Sequence, residues 1–218
     1  YAITFNSCTS ALHASLLTLN CKKGDEVLVP ALTPLMCGLA IHFTGATPIY
    51  VDSDPDTFLL SYKDLEKKIT SKTKVIMGVH MYGGVCDLNK LKKISEKYNL
   101  KLIEDVAEAT AAYDNNNNIT GSVGDISCWS FQAAKQLTCG DGGIATTDDK
   151  NFAKKLRKIG NLGFRVLKAE SGGVRLSKNL YQNPNWERFD LIGFNYRINE
   201  LGAAVALAQL ERINFLIK

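Results

Sequence analysis

The segment Cys128-Trp129-Ser130-Phe131-Gln132-Ala133-Ala134-Lys135 carries a strand-like apolar run into a serine and, five residues later, a lysine. The glycine cluster Gly140-Asp141-Gly142-Gly143 then leads into a second run, Ile144-Ala145-Thr146-Thr147. This pattern puts Lys135 on a loop beyond a strand. A lysine amine that is partly withdrawn from water, or set near another cation, can attack a carbonyl and form a Schiff base. The alternative is an ordinary solvated loop lysine, because Lys and Arg together supply 26 of the 218 residues.

Two other segments offer groups that such a lysine would need. Asn99 to Ala109 reads as a buried strand meeting Glu104 and Asp105 at its carboxyl end, the place where ligands sit in open α/β sheets. A carboxylate there suits the protonated ring nitrogen of a pyridine coenzyme such as pyridoxal phosphate, and Asp105 is the candidate; a turn or helix-capping role is equally compatible with the segment. Near the start of the chain, Asn6-Ser7-Cys8-Thr9-Ser10 places hydroxyls before the helical spacing of Leu12, Leu16 and Leu19. Free N–H groups at such a helix start can hold a phosphate, or Thr9 and Ser10 can serve simply as caps.

These segments need a scaffold, and the rest of the chain supplies an α/β one. Short apolar runs near 26–29, 48–51, 74–79, 101–105, 125–131 and 143–147 read as strands. They alternate with helical stretches near 9–20, 35–43, 62–69, 88–98, 149–159 and 197–216, the pattern of a mostly parallel sheet with crossover helices. The four asparagines 115–118 predict a hairpin tip, since Asn tolerates left-handed backbone angles. Residues 161–192 are rich in Gly, Asn and Arg without a sustained period, and an irregular segment of that length inside a compact domain is usually functional or mobile.

Composition narrows the function classes. The net charge of +4 is carried by lysines in helical patterns, such as Lys90, Lys92, Lys93 and Lys97, beside Asp87 and Glu96, so a solvated face is expected and no nucleic-acid partner. The six cysteines show no CxxC pair, which predicts neither a metal site nor a disulfide framework and suits a reduced, cytoplasmic compartment. No apolar run approaches 18 residues and no charged-then-apolar leader is present, so no membrane association is expected.

The chain resembles the nucleotide-sugar aminotransferases of the DegT/StrS type. The likeness runs through Ser7 to His13, Gly24-Asp25-Glu26-Val27-Leu28-Val29-Pro30, Thr44-Gly45-Ala46-Thr47-Pro48 with Val51-Asp52, Val79-His80-Met81-Tyr82-Gly83, Ile103 to Ala109, Gly121-Ser122-Val123-Gly124-Asp125, Ser130 to Lys135, and Gly193 to Glu200. The resemblance implies the pyridoxal-phosphate transferase fold of type I, with residues 1–218 as its three-layer, coenzyme-binding large domain. It implies a longer whole protein, with an N-terminal arm and a smaller C-terminal domain.

The resemblance also implies roles for single residues. Lys135 would bear the coenzyme and move the proton, Asp105 would pair with the pyridine nitrogen, and Glu108 would lie near the coenzyme's 3′ oxygen. Ser130 with the backbone at Cys8 and Thr9 would hold the phosphate of pyridoxal 5′-phosphate. Asn195 would reach the phosphate in the neighbouring subunit, making a homodimer with shared sites. The implied reaction moves an amino group from glutamate to the keto carbon, C4 favoured, of a nucleotide-linked 4-keto-6-deoxysugar. The other branches of the resemblance are a sugar dehydratase and a non-catalytic regulatory relative; relatives that dehydrate carry histidine where this chain has Lys135.

Three positions depart from the family pattern. Glu108 stands where many relatives have Gln, so it must be protonated or share a proton with the coenzyme's oxygen. Pro34 replaces an aromatic that stacks on the coenzyme, leaving Pro34 or Leu35 to pack there. Cys8 stands where glycine is common.

Overall fold

Val27 to Val29, Val75 to Met77, and Leu102 with Ile103 are all buried, as strands become when helices cover both faces of a parallel sheet. The computed structural model describes residues 1–174 and 176–217. Its strands are β1 (Ala2–Phe5), β2 (Glu26–Pro30), β3 (Thr47–Val51), β4 (Thr73–Val79), β5 (Lys101–Asp105), β6 (Ile126–Ser130) and β7 (Gly143–Thr146). They form one sheet in the order β1-β7-β6-β5-β4-β2-β3. β3, β2, β4, β5 and β6 run parallel, whereas β7 is antiparallel to both β6 and β1. The α/β expectation is met.

Helices α1 (Cys8–Thr18), α2 (Leu35–Phe43) and α5 (Lys150–Gly160) build the core on one face of the sheet. Helices α3 (Tyr62–Lys68) and α4 (Leu88–Lys97) build a second core with Leu28, Ile76 and Leu102 on the other. The result is three layers. α4 shows why the local sequence folds as it does: Leu88, Leu91 and Ile94 recur along one buried stripe. Its lysines face outward beside Asp87 and Glu96, and the Asp87 carboxylate caps the first turn by accepting the Lys90 N–H at 3.0 Å. α1 is instead buried on nearly every side, from Ala11 to Leu16.

Several features go beyond the sequence reading. β1 is an additional edge strand, paired to β7 from Ala2↔Thr146 to Phe5↔Gly143. The expected helix from 197 begins instead at Glu200, because the Asn199 side chain accepts the Gly202 N–H and caps it; α7 (Glu200–Glu211) is then followed by α8 (Ile213–Leu216). The irregular stretch contains the short α6 (Lys178–Gln182) and is tied down by bridges Asn161↔Asn195 and Phe164↔Phe189. The hairpin tip forms as expected, with Asn117 at φ 61°. Its organiser is Asp114, whose carboxylate accepts the N–H groups of Asn116 and Asn118 at 2.8 Å each.

Candidate active site

Parallel strands deliver their last residues to one edge of a sheet, and here β5 ends at Asp105 and β6 at Ser130. α1 starts against the same edge because the chain passes β7 without hindrance. A Cβ on Gly143 would lie 2.5 Å from the Cys8 nitrogen and 2.5 Å from the Ser7 carbonyl carbon, a separation only glycine permits. The three elements enclose a cavity of about 440 Å³. Cys8, Thr9, Asp105, Glu108, Ser130 and Lys135 all line it, so six of the seven residues singled out in the sequence converge.

At the α1 end, Ser7 is extended and its hydroxyl accepts the Ser10 N–H at 3.1 Å. This cap leaves the Cys8 and Thr9 N–H groups without an acceptor among the described residues. Unpaired amides at the positive end of a helix dipole form an anion cradle. The Ser130 hydroxyl accepts the Gln132 N–H at 3.3 Å and borders the same space.

On the floor, Asp105 is 3% exposed. Its Oδ1 accepts the Ala107 N–H at 3.0 Å and its Oδ2 the Cys37 S–H at 3.1 Å. Burial raises the Asp105 carboxyl above its ordinary range, and the hydrogen bonds from Cys37 and Ala107 only partly offset this. The same burial, with the Asp105 charge beside them, pushes the Cys8 and Cys37 thiols well upward, so both remain protonated. A buried acidic group with few strong donors calls for a cationic partner.

On the wall, Lys135 Nζ donates to Glu108 Oε1 at 3.2 Å, and Glu108 Oε2 accepts the Tyr82 N–H at 3.1 Å. Tyr82 holds φ 54°, an uncommon angle for an aromatic residue, as the chain turns to present that N–H. Pro34 and Met36 form the apolar wall, whereas Leu35 is 70% exposed and points elsewhere; of the pair expected to pack on a coenzyme ring, Pro34 is the one in place. Met36 and Cys37 were not singled out in the sequence, because within Leu35 to Ile41 they read as two more apolar helix residues.

Asn195 lies outside the cavity. Phe194 and Tyr196 turn inward, stack at 5.0 Å and meet the buried His13 of α1, whose Nδ1 lies 2.9 Å from the Tyr196 hydroxyl. Alternation along an extended segment then faces Asn195 outward, and the residue is exposed. Among the described residues no group of His, Cys, Asp and Glu has a metal-holding arrangement, and no helix is long and apolar enough to cross a membrane.

Known proteins resemble this chain in sequence and fold. Residues 1–218 match the model of the DegT/DnrJ/EryC1/StrS aminotransferase family. GDP-perosamine synthase of Caulobacter vibrioides is 39% identical over 217 residues, 98% of this chain and 53% of the relative. GDP-perosamine synthase of Escherichia coli O157:H7 is 41% identical over 212 residues, 97% of this chain and 53% of the relative. The crystal structure of NtdA from Bacillus subtilis with bound cofactor PMP superposes with a TM-score of 0.81 at 32% identity, over 99% of this chain and 44% of that one. The chain thus spans about half the length of the curated relatives it matches.

Proposed function

Since the chain belongs to the DegT/DnrJ/EryC1/StrS aminotransferase family, we propose that it is the coenzyme-binding large domain of a pyridoxal-phosphate aminotransferase acting on a nucleotide-linked keto sugar. The observation that carries this reading is the meeting, in one cavity, of an amine, a buried carboxyl and an unpaired helix N-terminus. These groups suit the three parts of pyridoxal phosphate. The Cys8 and Thr9 amides and the Ser130 hydroxyl match its phosphate, Asp105 its ring nitrogen, and Lys135 its aldehyde.

When bound, that coenzyme supplies an electron sink for the carbon that gains or loses the amino group. The protein supplies everything that positions and protonates. Asp105, buried and poor in strong donors, attracts a protonated ring nitrogen and keeps the proton there. Lys135 Nζ is the basic atom on the cavity wall, able to bind the coenzyme covalently and, when released, to carry a proton to or from the substrate carbon. Glu108 Oε1, 3.2 Å away, holds that amine in place while it is free. Glu108 thereby presents a carboxyl oxygen paired with the Lys135 amine to the same space.

Glutamate is the amino donor in this reading, and the acceptor is the C4 keto group of a 6-deoxysugar carried on GDP. The names of the two GDP-perosamine synthase relatives support that nucleotide. The outward placement of Asn195 between two inward aromatics suits a residue that completes the phosphate site of a second subunit, so the working form is a homodimer. The test is to supply full-length protein with glutamate and a panel of GDP-, dTDP- and UDP-linked 4-keto-6-deoxysugars, following the amino product by mass spectrometry. Turnover of the GDP-linked sugar, with release of 2-oxoglutarate, is expected. Absence of product from every member of the panel would overturn the assignment.

A further inference from the structure

Asp105 is flanked by thiols as well as by the groups already described. The Cys37 S–H donates to its Oδ2 at 3.1 Å, and the Thr33 hydroxyl donates to the Cys37 sulfur at 3.2 Å. Cys8 Sγ stands 3.9 Å from Oδ1. The result is a chain running hydroxyl to thiol to carboxylate, with Cys37 1% exposed in its middle. Glu104, one residue earlier, accepts the Gly121, Val123 and Gly124 N–H groups at 2.8, 2.8 and 2.6 Å. Neighbouring carboxylates thus have three amide donors in one case and, in the other, one amide from Ala107 with a thiol on the second oxygen.

A thiol is a poor hydrogen-bond donor but a directional one. It can fix the rotation of a carboxylate without drawing off much of its charge. A hydroxyl in the same place would bind the anion more tightly and leave it a weaker partner for a cation. We propose that Cys37 is a positioning residue for Asp105: its S–H, oriented by Thr33, holds the carboxylate toward the cavity while leaving the charge available to a protonated ring nitrogen. The sulfur accepts from Thr33 as it donates to Asp105, and such chains strengthen each successive bond.

Only the partner met by Asp105 rests on the coenzyme reading; the Thr33–Cys37–Asp105 link does not. Other titratable groups whose charge acts on Asp105 or is acted on by it are Cys8 of α1, Cys128 of β6, His80 after β4, and Lys135. All stay constant in the comparison that isolates Cys37.

The test uses full-length, coenzyme-free protein carrying ¹³C-labelled aspartate carboxyls, with Asp105→Asn assigning the signal. Cys37→Ser is expected to lower the Asp105 titration midpoint by about one pH unit, a tenfold change in proton affinity, because the hydroxyl favours the anion. Cys37→Ala is expected to raise it, and Thr33→Val to raise it less. In coenzyme-loaded protein, Cys37→Ala is expected to lower kcat and leave KM for the sugar unchanged. A midpoint unmoved in both Cys37→Ser and Cys37→Ala would overturn the proposal. Because the titration needs no coenzyme, a protein that binds none would refute the proposed function and leave this link standing.

Discussion

Glu104 and Asp105 are consecutive residues of β5, and the pleat sends their carboxyls to opposite faces of the sheet with opposite electrostatic results. Glu104 is fully buried, which alone would raise its pKa, yet the His80 ring and the Gly121 and Gly124 amides outweigh burial and hold it below the usual carboxylate range. The Cys86 N–H donates to His80 Nδ1 at 3.2 Å, leaving Nε2–H for Glu104. Asp105 has one amide, from Ala107, and the Cys37 thiol, and burial outweighs them and shifts it the other way. One carboxyl anchors a loop, and its neighbour is kept for a ligand.

The Glu104 arrangement predicts a pH-dependent stability. A carboxyl lowered in the folded state contributes stability above its unfolded value of about 4.3 and loses it as pH falls through the folded value. Glu104→Gln is expected to destabilise the coenzyme-free protein by about 3 kcal/mol at neutral pH, because an amide turns N–H groups toward donors. Denaturant midpoints measured from pH 7 down to pH 3 are expected to converge for the two proteins; a constant difference would contradict this account.

For Asp105 the sign reverses. A carboxyl raised in the folded state opposes folding while ionised, and that penalty fades as pH falls through the raised value. Asp105→Asn is therefore expected to raise the melting temperature of coenzyme-free protein at pH 7 while greatly reducing transamination, an exchange of stability for function. A variant that is less stable yet fully active would show that Asp105 is a structural capping residue.

The close passage of α1 over β7 gives a third outcome. Gly143→Ala places a Cβ 2.5 Å from the Cys8 nitrogen, and overpacking of that kind costs about 1–3 kcal/mol. The strain falls on the amides proposed to hold the phosphate. Equilibrium dialysis is expected to show weaker pyridoxal phosphate binding, and undiminished affinity would separate this helix start from the phosphate site.

Asn195 can be tested by sharing. Mixed dimers of Lys135→Ala and Asn195→Ala contain one site with both native groups if Asn195 serves the neighbouring subunit. After verified subunit exchange at limiting coenzyme, activity is expected to exceed the sum of the two parents. Activity that never exceeds that sum places Asn195 within its own subunit's structure.

Much of this architecture is legible in the sequence. Alternating apolar runs and amphipathic stretches gave the parallel sheet, because burial on both faces leaves no other use for runs such as Val75 to Val79. Lys135, Asp105, Glu108, Ser130, Cys8 and Thr9, each singled out in the sequence, line one cavity. The different tasks of Glu104 and Asp105 could not be read, since adjacent acids look alike until the pleat separates them. Cys37 was hidden for a similar reason: on an apolar helix a thiol reads as one more small hydrophobe. β1 escaped because four residues at a sheet edge carry too little pattern.

In the proposed function Lys135 carries the coenzyme, and borohydride reduction followed by peptide mapping reads that attachment out. Full-length protein loaded with pyridoxal phosphate is expected to lose its visible absorption band on reduction and to retain a phosphopyridoxyl group on the peptide containing Lys135. Lys135→Ala, folded and treated identically, is expected to remain unlabelled. A label on any other lysine, or equal labelling of the Lys135→Ala protein, would contradict the account.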